Sequence, residues 1–249
     1  MSARRALVSL VACGVLALIS QTAATAAELK IFASRAVATV LEKIGPEFEK
    51  NSGYKLNVTM GLSAELVGHI NANEAFDVIA VPPPVLDGLI KNGKVAVDSK
   101  TNLVRSAYGV LVRAGAPKPD VSSVEALKRA LLEAKSITYL PVPGVPQLIE
   151  RLGLKDAIAS KVTIPKSDTS AELVAKGEVE LAIVAITQAY TTSGVALAGP
   201  LPPEVQFYTV FGGAVGTNSQ APDVALALLK FLKSPTAIPV IKEQRMEPI

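Results

Sequence analysis

Four positions in this 249-residue chain sit where an apolar, strand-like run gives way to a helical pattern: Ser34, Ser63, Gly144 and Thr187. The first turn of a helix carries unpaired N–H groups and partial positive charge, so corners of this kind receive anions. Arg35 adjoins the first corner and adds a fork of donors that matches a carboxylate or an oxyanion. Ser34, Ser63 and Thr187 are also ordinary N-cap residues, and Arg35 is an ordinary solvated arginine at a helix start, so both alternatives stay open. Covalent and metal chemistry have less to work with. The single His69 follows Gly68 inside a predicted helix and has no partner histidine. Gly61-Leu62-Ser63-Ala64-Glu65 is not a nucleophile elbow, because Glu65 stands where glycine is needed. There is no H-E-x-x-H and no P-loop. Gly212, Gly213 and Gly216 are expected as strand and hinge backbone rather than a phosphate loop. With one His and one Cys, a transition-metal cage is not expected, and no cofactor is expected. The lack of Trp argues against a sugar site built on aromatic stacking.

The elements that must position these residues alternate. Leu29–Ala33 reads as a strand. Val37, Val40, Leu41, Ile44 and Phe48 then recur at helical spacing, until Asn51-Ser52-Gly53 stops the helix. Leu56–Met60 is a strand, Ser63 opens a helix, and Phe76–Val81 is a buried-type strand ended by Pro82-Pro83-Pro84. Val85–Lys91 is a further helix, closed by Asn92-Gly93. A second block repeats the alternation. Strands are expected at Ala107–Val112, Ser136–Leu140, Val162–Pro165 and Leu181–Ile186. Helices are expected at Ala126–Ala134 after a Ser122/Glu125 capping box, at Gly144–Leu152, and at Leu173–Lys176 after a Thr169/Glu172 box. Gln206–Val215 is a long strand, Asp223–Leu232 a helix with Pro222 in its first turn, and Ala237–Glu243 a last helix. Strand–helix alternation predicts an α/β protein whose sheets are mostly parallel and flanked by helices. The closing segment is too short for a domain of its own, so it is expected to return and complete the first block. That gives two lobes, 27–106 with 210–249 and 107–209, with chain crossings near 105–108 and 202–211. Open sheets of this kind bind ligands at the carboxyl ends of their strands, here in a cleft that closes by hinge motion.

Composition narrows the class. The chain is 49% hydrophobic and 19% charged, which is globular rather than disordered. Arg4 and Arg5, an apolar run from Ala6 to Ile19, and Ala23-Ala24-Thr25-Ala26-Ala27 have the order of a secretory signal peptide, residues 1–26, cleaved near Ala26 or Ala27. The run is shorter than the roughly 20 residues a spanning helix needs. Leu10-Val11-Ala12-Cys13 has the form of a lipid-attachment box, but the apolar run continues well beyond Cys13, so lipid anchoring is not expected. After cleavage no cysteine remains, which rules out disulfides. The full chain carries 25 basic and 22 acidic residues, and loss of the two leader arginines leaves a net charge of +1. Nothing in that charge invites nucleic acid.

Several stretches resemble the molybdate-binding periplasmic proteins of ABC importers. They are Leu29-Lys30-Ile31-Phe32-Ala33-Ser34, Met60-Gly61-Leu62-Ser63-Ala64-Glu65-Leu66, Phe76-Asp77-Val78, Tyr108-Gly109-Val110-Leu111-Val112-Arg113-Ala114-Gly115-Ala116-Pro117, Arg151-Leu152-Gly153, and Ser234-Pro235 through Met246-Glu247-Pro248. The similarity spans essentially the whole chain after the leader. It implies the type II binding-protein fold, a periplasmic location, a small anionic solute, a separate membrane permease as partner, and a monomer rather than an enzyme. It also implies ligand positions: Ser34, Arg35, Ala36, Ser63, Gly144, Val145, Ala185 and Thr187. The chain departs from the family pattern at two of these and in the loop that holds two more. Ala36 and Ala185 replace a serine and a tyrosine, with Tyr190 nearby but not aligned. Pro141-Val142-Pro143-Gly144-Val145-Pro146 replaces the oxyanion loop, and prolines have no N–H to donate. A diverged receptor for another oxyanion or a small organic acid is therefore expected. A sensor or scaffold of the same fold, and more remotely an α/β enzyme, are the alternatives.

Overall fold

The computed structural model describes residues 27–142, 144–165 and 169–249. The leader and its Cys13 lie outside the described residues. In chain order the elements are β1 (Glu28–Ala33), α1 (Arg35–Ser52), β2 (Lys55–Met60), α2 (Ser63–Asn71), β3 (Val78–Val81), α3 (Pro83–Lys91), β4 (Thr101–Arg113), α4 (Val124–Glu133), β5 (Ile137–Thr138), α5 (Val145–Arg151), α6 (Lys155–Ile158), β6 (Val162–Thr163), α7 (Ser170–Lys176), β7 (Leu181–Ala185), α8 (Gln188–Thr191), β8 (Val195–Pro200), β9 (Tyr208–Val215), α9 (Pro222–Phe231), α10 (Ala237–Glu243) and β10 (Glu247–Pro248).

The strands follow the order β2-β1-β3-β9-β4-β7-β5-β6, with β8 and β10 added against β4. Pairings of β1 with β2 and β3, and of β5 with β6 and β7, are parallel. Both sets come from strand–helix–strand units, as the alternating pattern predicts. The antiparallel pairings all involve β4 or β9, the two strands that run between the halves. The sheet as a whole is thus mixed, with a parallel wing at each end.

Burial explains why these residues make these elements. In β3, Val78 and Ala80 face the core under α1 and α9, whereas Ile79 and Val81 face the core under α2 and α3. A strand covered on both faces has no polar side, so it reads as a continuous apolar run. Helix α1 buries Val37, Val40, Leu41, Ile44 and Phe48 along one stripe. It ends at Gly53, whose φ of 76° lets its N–H reach Glu49 O. Pro83 and Pro84 occupy the first turn of α3, where a missing N–H costs nothing. The second half repeats the arrangement, with Val110 and Val112 facing the core under α4 and α5 and Leu111 facing the one under α7.

Some local expectations need correction. The cap of α4 is Ser123, whose Oγ accepts the Ala126 N–H at 3.2 Å. Ser122 is held instead by Asp120, through its N–H at 2.9 Å and its hydroxyl at 2.7 Å. Thr169 stands at the N-cap of α7, but its side chain makes no capping bond. The strands expected at 136–140 and 162–165 are regular for only two residues each. Strand β8 and the first half of β4 had no distinct sequence pattern; both form by pairing along an edge that tertiary structure supplies.

The two halves meet on β4. Up to Ala107 it pairs with β9, where Ala107 faces Tyr208; from Tyr108 onward it pairs with β7, where Tyr108 faces Ala185. The side chain of Gln206 clamps this switch. Its Oε1 accepts the N–H groups of Tyr108 and Phe207, each at 3.0 Å. Its Nε2 donates to Tyr108 O at 3.0 Å and Leu201 O at 3.3 Å. The C-terminus is woven into the same region: β10 lies antiparallel to β4, and Arg105 Nε donates to Glu247 Oε2 at 2.7 Å. Gln206→Ala leaves two half-buried N–H groups unmet, so it is expected to destabilise the protein by about 2 kcal/mol or more, measured by urea denaturation.

Candidate functional site

Between the halves lies a cavity of about 470 Å³, within the range of small-molecule sites. Its walls are the carboxyl ends of parallel strands from both sides. From the first half come Ser34, Arg35 and Ala36 after β1, Gly61 to Ser63 after β2, and Pro82 after β3. From the second come Leu140 and Val142 after β5, Thr169 and Glu172 at the start of α7, and Ala185, Thr187 and Gln188 after β7. Tyr108 on β4 and Thr209 and Phe211 on β9 complete it where the halves join.

Six of the eight positions singled out in the sequence therefore share one cavity: Ser34, Arg35, Ala36, Ser63, Ala185 and Thr187. Gly144 and Val145 do not. Val145 is fully buried in the core of the second half. Gly144 adopts φ 121° beneath Phe207, where an added Cβ would lie 2.5 Å from the ring. Their N–H groups are also taken up locally, Gly144 N–H by Gln147 Oε1 at 2.5 Å and Val145 N–H by Val142 O at 3.3 Å. The proline-rich loop presents Leu140 and Val142 to the cavity and turns these two donors on itself.

The capping alternative for the hydroxyl residues does not survive. Ser34 is the N-cap of α1, yet its hydroxyl donates to Ala80 O at 2.8 Å and makes no capping bond. Ser63 is the first residue of α2 rather than its cap, which is Leu62, and Glu65 accepts the Leu62 N–H at 2.9 Å. Thr187 makes no side-chain capping bond to α8. At the start of α1 the N–H groups of Val37 and Ala38 both turn to Ser34 O. The first-turn donors left without an intrahelical partner are those of Arg35 and Ala36. Arg35 is exposed and forms no ion pair with a described carboxylate. One wall therefore carries a guanidinium, two N–H groups without an intrahelical partner, the Glu65 carboxylate and the positive end of an 18-residue helix.

The opposite wall differs. Glu172 lines the cavity, and its Oε2 is shut off from solvent without a hydrogen-bond partner. Tyr108 is buried, with its ring 4.2 Å from Phe207 and its hydroxyl 3.1 Å from Thr209 Oγ1. Tyr190 is half exposed and lies off the cavity, under the guanidinium of Arg245 at 4.9 Å. Among the described residues no group of His, Cys, Asp and Glu side chains is placed to hold a metal ion. Sequence reasoning missed Tyr108, Thr209 and Phe211, which reach the cavity only because β4 and β9 cross there. It saw Thr169 and Glu172 only as a helix start.

Comparison with known proteins agrees with this architecture. The family model described as bacterial extracellular solute-binding protein matches residues 29–246. An aconitate isomerase from a Pseudomonas species is 30% identical over 230 residues, covering 89% of this chain and 88% of that protein. The molybdate-binding protein ModA of Azotobacter vinelandii is 27% identical over 237 residues, covering 88% of this chain and 90% of the relative. The solved periplasmic molybdate-binding protein of Azotobacter vinelandii superposes with a TM-score of 0.69 at 19% identity, covering 88% of this chain and 98% of that one. With two halves joined by crossing strands, a cavity at the strand ends and a family match over nearly the whole described chain, the protein belongs to the bacterial extracellular solute-binding proteins and has the type II periplasmic binding-protein fold.

Proposed function

We propose that this protein is the exported solute-capturing component of an ABC-type importer, and that it holds a small carboxylate anion between its lobes. The observation that carries this is the Arg35 guanidinium, which has no ion pair with a described carboxylate, beside the Arg35 and Ala36 N–H groups that have no intrahelical partner, lining a cavity walled from both halves. Lobe 1 is 27–106 with 210–249 and lobe 2 is 107–209, hinged near 105–108 and 202–211. Ser34, Arg35, Ala36, Ser63, Ala185 and Thr187 are the ligand positions. The protein is exported by its leader, works as a monomer and delivers the solute to a separate membrane permease.

A carboxylate fits better than a dehydrated tetrahedral oxyanion. Such an ion needs donors all round, and this cavity has alanine at 36 and 185, an apolar Leu140–Val142 edge, and a Ser34 hydroxyl already donating to Ala80 O. The 30% identical relative is named for aconitate, a small tricarboxylate, which supports the same class.

That relative, with Glu65 and Glu172 on the cavity, also favours a second reading in which the site isomerises its ligand. Moving a double bond needs a base that takes a proton from one carbon and returns one to another. Incubation with either aconitate isomer in D2O, followed by NMR, decides it: interconversion with deuterium uptake supports the isomerase, and bound but unchanged ligand supports the receptor.

In a thermal-shift screen of ligand-free protein, di- and tricarboxylates are expected to raise the melting temperature, by the equivalent of about 2.7 kcal/mol at a hundredfold excess over Kd. A shift with molybdate or tungstate alone overturns the carboxylate class. Ser63→Ala is expected to weaken binding about tenfold, the loss of one hydrogen bond. Because Ser63 does not cap α2, unliganded stability should hold to within about 0.5 kcal/mol.

A further inference from the structure

We propose that the Arg245 guanidinium and the Tyr190 ring form a clasp across the cleft, which holds the two lobes closed over a bound solute. This rests on the two hinged lobes of the reading above and is independent of which anion they hold. Tyr190 lies on α8 in lobe 2, and Arg245 follows α10 in lobe 1. The guanidinium carbon stands 4.9 Å from the ring centroid, within the range of a cation–π contact. Neither residue belongs to β4 or β9, the strands that join the halves. The pair stands at the rim of the cavity, because Gln188 and Thr191 on the helix of Tyr190, and Gln244 next to Arg245, all line it.

The backbone at Arg245 gives a second, independent observation. Helix α10 ends in a Schellman turn, in which Arg245 N–H donates to Lys242 O at 2.9 Å and Met246 N–H to Ile241 O at 3.0 Å. The residue that leaves such a turn adopts left-handed backbone, and Arg245 has φ 57°. Glycine takes that conformation without steric cost and is its usual occupant. An arginine held there against its own preference points to a task for its side chain. Arg245 is exposed and forms no ion pair with a described carboxylate. What its guanidinium meets is the Tyr190 ring, in the other half. A contact across the cleft exists only while the cleft is closed, and an interaction confined to one of two states shifts the population toward that state. A solute that leaves through the open form is therefore released more slowly.

The chain after the leader has no cysteine, so spin labels at Glu47→Cys on α1 and Glu133→Cys on α4, both exposed positions, report the distance between the lobes by pulsed electron paramagnetic resonance. Without added solute two distances are expected. Arg245→Ala should lower the ratio of short to long about two- to fivefold, the worth of one exposed cation–π contact. Tyr190→Leu should do the same, and the double variant should fall no further than either single one. Arg245→Gly removes the guanidinium and the backbone strain together, so it should open the cleft with no loss of stability, read from the urea midpoint. Opening that comes with a lower midpoint makes Arg245 a structural residue and overturns the clasp. Additive effects of Arg245→Ala and Tyr190→Leu also overturn it, since the two side chains then act separately. Two distances whose ratio no variant moves overturn the clasp but leave the hinge standing. A single distance, unchanged in every variant and by citrate or molybdate, overturns the hinged reading itself, and this inference with it.

Discussion

Everything else in this molecule depends on one strand changing partners. Strand β4 is continuous through both halves, yet its neighbour is β9 as far as Ala107 and β7 from Tyr108. A sheet that changes neighbours in mid-strand exposes backbone N–H and C=O groups at the junction, and buried backbone groups must be satisfied. Gln206 meets this requirement with one amide, accepting from Tyr108 and Phe207 and donating to Tyr108 and Leu201. The second crossing is thereby tied to the first. The cavity exists because the two wings of parallel strands are held at this junction with their carboxyl ends facing each other.

The two walls of the cavity carry different groups. On one side stand Arg35, Glu65 and the start of an 18-residue helix; on the other stand Glu172 and an apolar loop edge. Helix N-termini attract anions in general and say little about which anion. Discrimination has to come from side chains, and here much of the first wall is already committed. Ser34 holds β3, Glu65 holds the start of α2, and Thr39 Oγ1 donates to Ala36 O at 3.0 Å. A family whose fold is shared among receptors for different solutes can change its ligand at such positions without disturbing the frame.

Much of the frame was legible in the residues. β3 could be read because a strand buried on both faces gives an unbroken apolar run, β2 because its residues alternate along a sheet edge, and α1 and β3 because Gly53 and the prolines at 82–84 punctuate them. β8 could not, since its Val-Ala-Leu-Ala-Gly-Pro run is short and made largely of small residues, and it becomes a strand only beside β4. Ser34, Arg35 and Ser63 were visible as candidates because a strand–helix corner is a local feature. Tyr108 and Thr209 were not, because their hydroxyl contact joins residues 101 positions apart in the chain. Glu172 was hidden for a different reason. Thr169 three residues before it mimics a capping box, although the Thr169 side chain makes no capping bond.

The chain end belongs to the same junction. Met246 is buried, β10 pairs with the first half of β4, Ile249 N–H donates to Leu103 O at 3.3 Å, and Gln244 reaches the cavity. The register, Glu247 against Arg105 and Pro248 against Val104, carries the chain end from the junction toward the start of β4. A sequence fused after Ile249 would therefore leave beyond Leu103, on the side away from the strand switch that Gln206 holds.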